Sequence, residues 1–304
     1  MAAMTDTAPL PGTVVPLAPG IRRILAPNPS PMTFWGTNTF VIGEGEVTLL
    51  DPGPALPVHF NAILAGLAPG ERVARILVSH AHLDHSPLAQ PLAEATGARV
   101  LAFGGATAGR SEVMADLAAR GLTGGGEGVD TTFAPDEPLE DGETIDIGGG
   151  LTLEAIWTPG HMSNHLSFAL GDTVFTGDHV MGWASTLISP PDGDLTAFLA
   201  SCARLRTRTD RIFHPAHGAA VTDPADRLDW LVAHRKARES AILDALAPRP
   251  SDIPTLTARI YTDTPATLLP AAERNVFAHL IDLTTRGLVR PGPALAPNAL
   301  FERI

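Results

Sequence analysis

Residues 76–85 read Ile76-Leu77-Val78-Ser79-His80-Ala81-His82-Leu83-Asp84-His85. The apolar run at the start has the length of one buried strand. Within six residues after it come four side chains able to ligate a metal. Packed into a core without partners, such groups would each cost about 1–3 kcal/mol. Imidazole and carboxylate together suit zinc and related divalent ions. The stretch therefore predicts a metal site at the end of a strand.

The same context recurs down the chain. His161 follows the apolar run Leu151 to Ile156, Asp178 follows Thr173-Val174-Phe175, and His217 follows Ile212-Phe213. Ligands on several strand ends can converge at one rim of a sheet although they lie far apart in sequence. Upstream, Thr39 to Ile42 and Val47 to Leu50 predict a hairpin through Gly43-Glu44-Gly45-Glu46. Asp51, at the end of that hairpin, is a candidate to orient a ligating imidazole. Helices are expected at 63–67, 87–96, 111–120 and 195–205, with Gly97 stopping the second and Ser86 as its N-cap. His59, His165, His179 and His214 are left without a ligand role, and Cys202 reads as a core residue. The arm up to about Pro31 is proline-rich and expected to be extended.

Composition narrows the function. A hydrophobic fraction of 44% across 304 residues provides for a packed core and more than one domain. The formal charge of −12 is uneven. Residues 225–304 hold ten Lys/Arg against nine Asp/Glu, a net of +1, so residues 1–224 carry 11 against 24, a net of −13. That acidic region repels a polyanion at long range and favours a small-molecule substrate over RNA. Cys202 is the only cysteine, so no intramolecular disulfide forms. The first twenty residues lack the basic start and apolar run of a signal peptide. No run approaches the ~20 apolar residues needed to span a bilayer. The expectation is a cytoplasmic protein with no membrane partner, and a homo-oligomer is left open.

The H-x-H-x-D-H cluster, followed in order by Gly160-His161, Gly177-Asp178 and Ala216-His217-Gly218, resembles the metallo-β-lactamase superfamily. The match extends upstream to Asn38-Thr39-Phe40 and Leu49-Leu50-Asp51-Pro52-Gly53, covering roughly residues 35–220. The resemblance implies a four-layer αββα sandwich with two Zn2+ (or another divalent metal) at one edge. It also implies that His80, His82 and His161 hold the first metal, that Asp84, His85 and His217 hold the second, and that Asp178 bridges them. A water between two such ions would have its pKa lowered towards neutrality, and Asp84 could steer it or accept its proton.

From Pro224 the pattern turns helical, with helices expected at 226–246, 253–261 and 271–286 and Gly287 as a C-cap. His234-Arg235-x-x-Arg238-Glu239, Ile260-Tyr261 and Asn275-Val276-x-x-His279-Leu280 are similar to the winged-helix-like tail of the β-lactamase-like protein 2 branch, which includes a mitochondrial endoribonuclease. Two domains follow, 1–224 catalytic and 225–304 helical. The leading expectation is a dinuclear zinc hydrolase of a small ester, thioester, lactone or amide. The alternative is a metal-dependent endoribonuclease cleaving single-stranded RNA, with a basic groove between Arg235, Arg238, Arg274 and the metals. Tyr261, the only tyrosine, sits in the tail and leaves the catalytic region without the tyrosine of many lactonases. A metal-binding scaffold without catalysis is a further reading, which the presence of all seven presumed ligands does not support, and an iron-dependent sulfur dioxygenase with one metal is an outlier that elemental analysis would test.

Overall fold

The apolar runs form strands that assemble into two sheets in the computed structural model, which describes residues 8–304. The start of the N-terminal arm, residues 1–7, lies outside the described residues, and so does that part of the signal-peptide reading. The first sheet has seven strands in sequential order: β1 (Val14–Ala18), β2 (Ile21–Leu25), β3 (Asn38–Ile42), β4 (Glu46–Leu50), β5 (Arg72–Leu77), β6 (Arg99–Ala102) and β7 (Glu137–Pro138). Helices α1 (Pro57–Ala65) and α2 (Ala89–Thr96) lie within this stretch, and α3 (Glu112–Ala119) precedes β7. The second sheet is built from β8 (Thr144–Gly148), β9 (Leu151–Trp157), β10 (Leu166–Leu170), β11 (Thr173–Gly177) and β12 (Ile212–Pro215), in the order β12-β11-β10-β9-β8. Helix α4 (Leu195–Arg206) links the last two of these strands in sequence.

The two sheets face one another across an apolar layer. Phe40, Ile42, Leu50 and Leu77 of the first sheet pack against Leu153, Leu166, Phe168 and Phe175 of the second. On the outer face of the first sheet, Ile24, Val41, Leu49 and Ile76 meet Ile63 of α1 and Leu92 of α2. On the outer face of the second, Ile156, Ala169 and Val174 meet Phe198, Cys202 and Leu205 of α4. Helix, sheet, sheet, helix is the expected four-layer sandwich.

The hairpin expected at 39–50 forms as the antiparallel pair β3–β4, with Phe40 opposite Leu50. The arm up to Pro31 is extended as expected over much of its described length, and it is also part of the sheet. It contributes β1 and β2, paired antiparallel, and Pro16 is accommodated because β1 is an edge strand. Ser86 is not an N-cap: α2 begins at Ala89, and the Ser86 hydroxyl reaches His82 O and Asp130 Oδ2.

Beyond the sandwich run α5 (Pro224–Leu246), α6 (Ile253–Ile260), α7 (Leu269–Thr285) and the antiparallel hairpin β13 (Val289–Gly292) and β14 (Leu300–Arg303). The carboxylates of Asp223 and Asp252 cap α5 and α6 by accepting from Asp226 N and Thr255 N. Leu228, Leu231 and Ala278 pack onto α4, while Ile242, Leu246, Val276 and Phe301 enclose Met114 and Leu117 of α3. Among the described residues no helix is long and apolar enough to cross a membrane.

Candidate metal centre

Five strands deliver polar side chains beyond their carboxyl ends to one rim of the sandwich. Asp51 follows β4, the 80–85 cluster follows β5, His161 follows β9, Asp178 follows β11 and His217 follows β12. The turns that aim them need unusual backbone. Gly160 (φ +148°) lies so close to α4 that a Cβ there would sit 2.4 Å from Phe198 Cα, and at Gly177 (φ +48°) it would sit 2.5 Å from His165 Nε2. Gly160→Ala is expected to cost about 1–3 kcal/mol and to displace His161. Thermal melting and metal content check this; wild-type values for both would contradict the packing argument.

The seven predicted residues do converge. His80, His82 and His161 form one set, Asp84, His85 and His217 a second, and His80, His85 and Asp178 a third; within each set the ligand atoms lie within 4.8 Å of one another. Asp178 spans the first two. Its Oδ2 is 3.5 Å from His161 Nε2, while Oδ1 is 3.3 Å from His217 Nε2 and 3.6 Å from His85 Nε2. Asp84 Oδ2 lies 3.1 Å from His217 Nε2 and 3.4 Å from His85 Nε2.

Outer partners orient the rings. The carbonyls of Leu187 and Gly36 can only accept, so His161 and His217 carry their protons on Nδ1 and turn Nε2 inward. Ser79 Oγ donates to Asp51 Oδ2 and therefore accepts from His80 Nδ1, which turns His80 Nε2 inward as well. His85 Nδ1 faces Asp51 Oδ2 at 3.2 Å. Asp51 is thus placed beside both His85 and the Ser79–His80 pair, from a left-handed backbone (φ 51°) that a non-glycine residue rarely adopts. His82 points the other way, with Nδ1 at 2.9 Å from His80 Nε2 and 3.1 Å from His161 Nε2.

The electrostatics divide along the same line. Burial lowers His80 well below the usual range and His82 to about 3, with neighbouring imidazoles adding to the effect, so this set presents neutral lone pairs. Burial also opposes charge on His85 and His217, but the carboxylates around them outweigh it: His85 is raised well above the usual value and His217 to about 10. Burial pushes Asp84 and Asp178 upward, and the same imidazoles hold both below the carboxylate range.

A divalent cation fits this arrangement. Asp84 Oδ1, Asp178 Oδ1 and His85 Nε2 are buried with no hydrogen-bond partner among the described residues. Two nitrogens on a tetrahedral zinc at ~2.0–2.1 Å stand about 3.3 Å apart, close to the 2.9 and 3.1 Å seen between the neutral imidazoles.

The centre opens into a cavity of ≈ 220 Å³. Its wall is mainly apolar, with Met32, Met181, Trp183, Leu187, Leu268 and Ala272. Glu127 and Asp192 also line it, and no Lys or Arg does among the described residues. Tyr261 and Asn275 complete the wall from the C-terminal helices. The only tyrosine therefore does reach the site, from a part of the chain where spacing gave no hint of it.

The basic groove that the endoribonuclease alternative would need is not seen among the described residues. Arg235 is buried, Arg238 donates to Ile260 O and lies over the Tyr261 ring, and Arg274 donates to Thr123 O, Ser189 Oγ and Pro190 O. His165 is a supporting residue, accepting from Asp178 N and sharing a hydrogen bond with Thr158. His179 and Cys202 are buried behind the site, and burial pushes the Cys202 thiol up to about 12, which leaves it unreactive.

A family model described as the metallo-beta-lactamase superfamily matches residues 32–242, and one described as the beta-lactamase associated winged helix domain matches residues 253–293. Beta-lactamase-like protein 2 homolog of Drosophila melanogaster is 30% identical over 290 residues, 91% of this chain and 92% of that protein. An atrochrysone carboxyl ACP thioesterase of Cryptosporiopsis sp. (strain 8999) is 28% identical over 234 residues; the match takes in 76% of this chain but 64% of that relative's length. The crystal structure of a metallo-beta-lactamase family protein from Thermus thermophilus superposes with a TM-score of 0.75 at 26% identity, covering 95% of this chain and 100% of that one. A beta-lactamase domain protein from Burkholderia ambifaria shares the fold with a TM-score of 0.81 at 24% identity, over 99% of this chain and 96% of that one.

Proposed function

Since the chain belongs to the metallo-beta-lactamase superfamily and is a metal-dependent hydrolase, we propose that it is a dinuclear zinc enzyme cleaving thioesters or related esters of small molecules with an apolar acyl group. His80, His82 and His161 would hold one ion and Asp84, His85 and His217 the other, with Asp178 between the two sets. The observation that carries this reading is the placement of Asp178, whose two oxygens face different ligand sets.

Ions bound there would supply Lewis acidity, for activating a water near neutral pH and for polarising the scissile carbonyl. The chain's own residues do the rest. Asp84, which lines the cavity and keeps Oδ1 free of hydrogen bonds, orients the attacking water and takes its proton. Met32, Met181, Trp183 and Leu187 remove the acyl group from solvent. Residues 1–224 form the catalytic domain, and residues 225–304 complete the cavity wall through Tyr261, Leu268 and Asn275.

The choice of a thioester draws on the thioesterase among the relatives. Beyond the metal centre the cavity wall offers no Lys or Arg among the described residues to pair with further carboxylates or with successive phosphates of an RNA backbone, which favours an uncharged acyl group. The test is hydrolysis of N-acetylcysteamine thioesters of increasing acyl length by the zinc-loaded protein, beside single-stranded RNA at low salt. We expect kcat/KM to rise by about fourfold per methylene, the equivalent of ~0.8 kcal/mol, until the cavity is filled. Cleavage of RNA with no thioester hydrolysis would replace this reading with the endoribonuclease one.

A further inference from the structure

The His234-Arg235-x-x-Arg238-Glu239 stretch of α5 lies outside the chemistry above, yet Arg235 is among the largest fully buried side chains. No carboxylate is among the groups that hold it in the described residues. Burial draws its pKa down to about 10, which still leaves it charged at neutral pH. A buried guanidinium without a counter-ion is costly, so the groups that it touches are informative.

Arg235 Nη2 donates to Thr186 O, and Nη1 donates to Asn275 Oδ1 at 3.1 Å. Asn275 Oδ1, on α7, also accepts from Ile188 N at 3.1 Å. Residues 186 and 188 are thus both fixed from the C-terminal helices. Between them, the Leu187 carbonyl accepts from His161 Nδ1 at 2.8 Å. The Thr186 hydroxyl meets Asp178 O at 3.0 Å and His179 O at 2.9 Å. One unbroken path of hydrogen bonds and backbone runs from α5 and α7 to the His161 ring and to the main chain at Asp178.

We propose that Arg235 is a positioning residue for the metal centre, clamping residues 186–188 together with Asn275 so that His161 and the Asp178 turn are held in ligating register. The inference rests on His161 and Asp178 being metal ligands. It gives the helical tail a second task beside lining the cavity, and it accounts for a buried charge that packing alone would disfavour. A side chain of similar reach without donors would leave the core filled and the segment unclamped.

The test compares Arg235→Met, Arg235→Lys and Asn275→Leu with the wild type, each stripped of metal and titrated with zinc and with cobalt(II), whose visible spectrum reports coordination. Arg235→Met and Asn275→Leu are expected to bind zinc about 10–100-fold more weakly. Their cobalt spectra should change while metal-free melting stays near that of the wild type. Arg235→Lys, keeping the charge and one donor, should recover part of the affinity. If Arg235→Met does not fold, Asn275→Leu carries the test. Variants binding zinc as tightly as the wild type, with unchanged cobalt spectra, overturn the clamp and leave the metal centre standing. A wild-type protein that takes up neither ion overturns the metal centre, and the clamp with it.

Discussion

Asp84→Ala is expected to lower kcat by about 10³-fold or more while leaving the chain folded. Asp84 is 4% exposed, sits 3.1 and 3.4 Å from two inward-facing imidazoles, and lines the substrate cavity. Alanine removes a ligand and the proposed proton acceptor in one step. The fold should survive because Asp178 still faces both His85 and His217, and Asp51 still faces His85, so neither imidazolium is left without a carboxylate when Asp84 is gone. Asp84→Asn separates the two roles: it keeps one oxygen for a metal but cannot take a proton. Its turnover should remain low although metal content recovers in part. Assays on a thioester that the wild type cleaves, with circular dichroism for the fold, check both variants. An alanine variant with most of its activity would remove Asp84 from the mechanism.

Chelation should abolish activity, zinc should restore it, and metal affinity should rise steeply with pH. In the metal-free protein burial disfavours a proton on His217, yet Asp178 and Asp84 hold its pKa at about 10. An ion must therefore displace that proton to bind, and affinity should rise by about tenfold per pH unit for each proton displaced. The same proton supports the metal-free fold, with the opposite sign. A histidine raised from 6.5 to about 10 contributes stability that is fully present below pH 6.5 and is lost as the pH climbs through 10. Chelated protein should accordingly stay folded at pH 7 and weaken towards pH 10. Zinc at a thousandfold excess over its Kd should add about 4 kcal/mol. Calorimetric zinc titrations between pH 6 and 8 measure the proton release; a pH-independent affinity would contradict the assigned ligands.

The sequence carried more of the centre than of its surroundings, for physical reasons. His80, His82, Asp84 and His85 are legible because a strand end compresses four ligands into six residues. His161, Asp178 and His217 are legible because each repeats that strand-end context, and the structure brings all seven together. The strands β1 and β2 were hidden by the prolines around them, since an edge strand tolerates what an inner strand would not. Ser86 looked like a cap, but its hydroxyl is committed to His82 O and Asp130 and the helix starts later. Tyr261, Leu268 and Asn275 reach the cavity through tertiary packing of α5 to α7, and no local pattern encodes that contact. Arg235 carried a motif without a purpose until its partners, Thr186 and Asn275, were placed beside it.

Anomalous diffraction at the zinc edge, from crystals grown with zinc, would locate the ions themselves. Two peaks are expected, one among His80, His82 and His161 and one among Asp84, His85 and His217, with the Asp178 carboxylate between them. A single peak, or peaks away from these side chains, would contradict the two-ion centre.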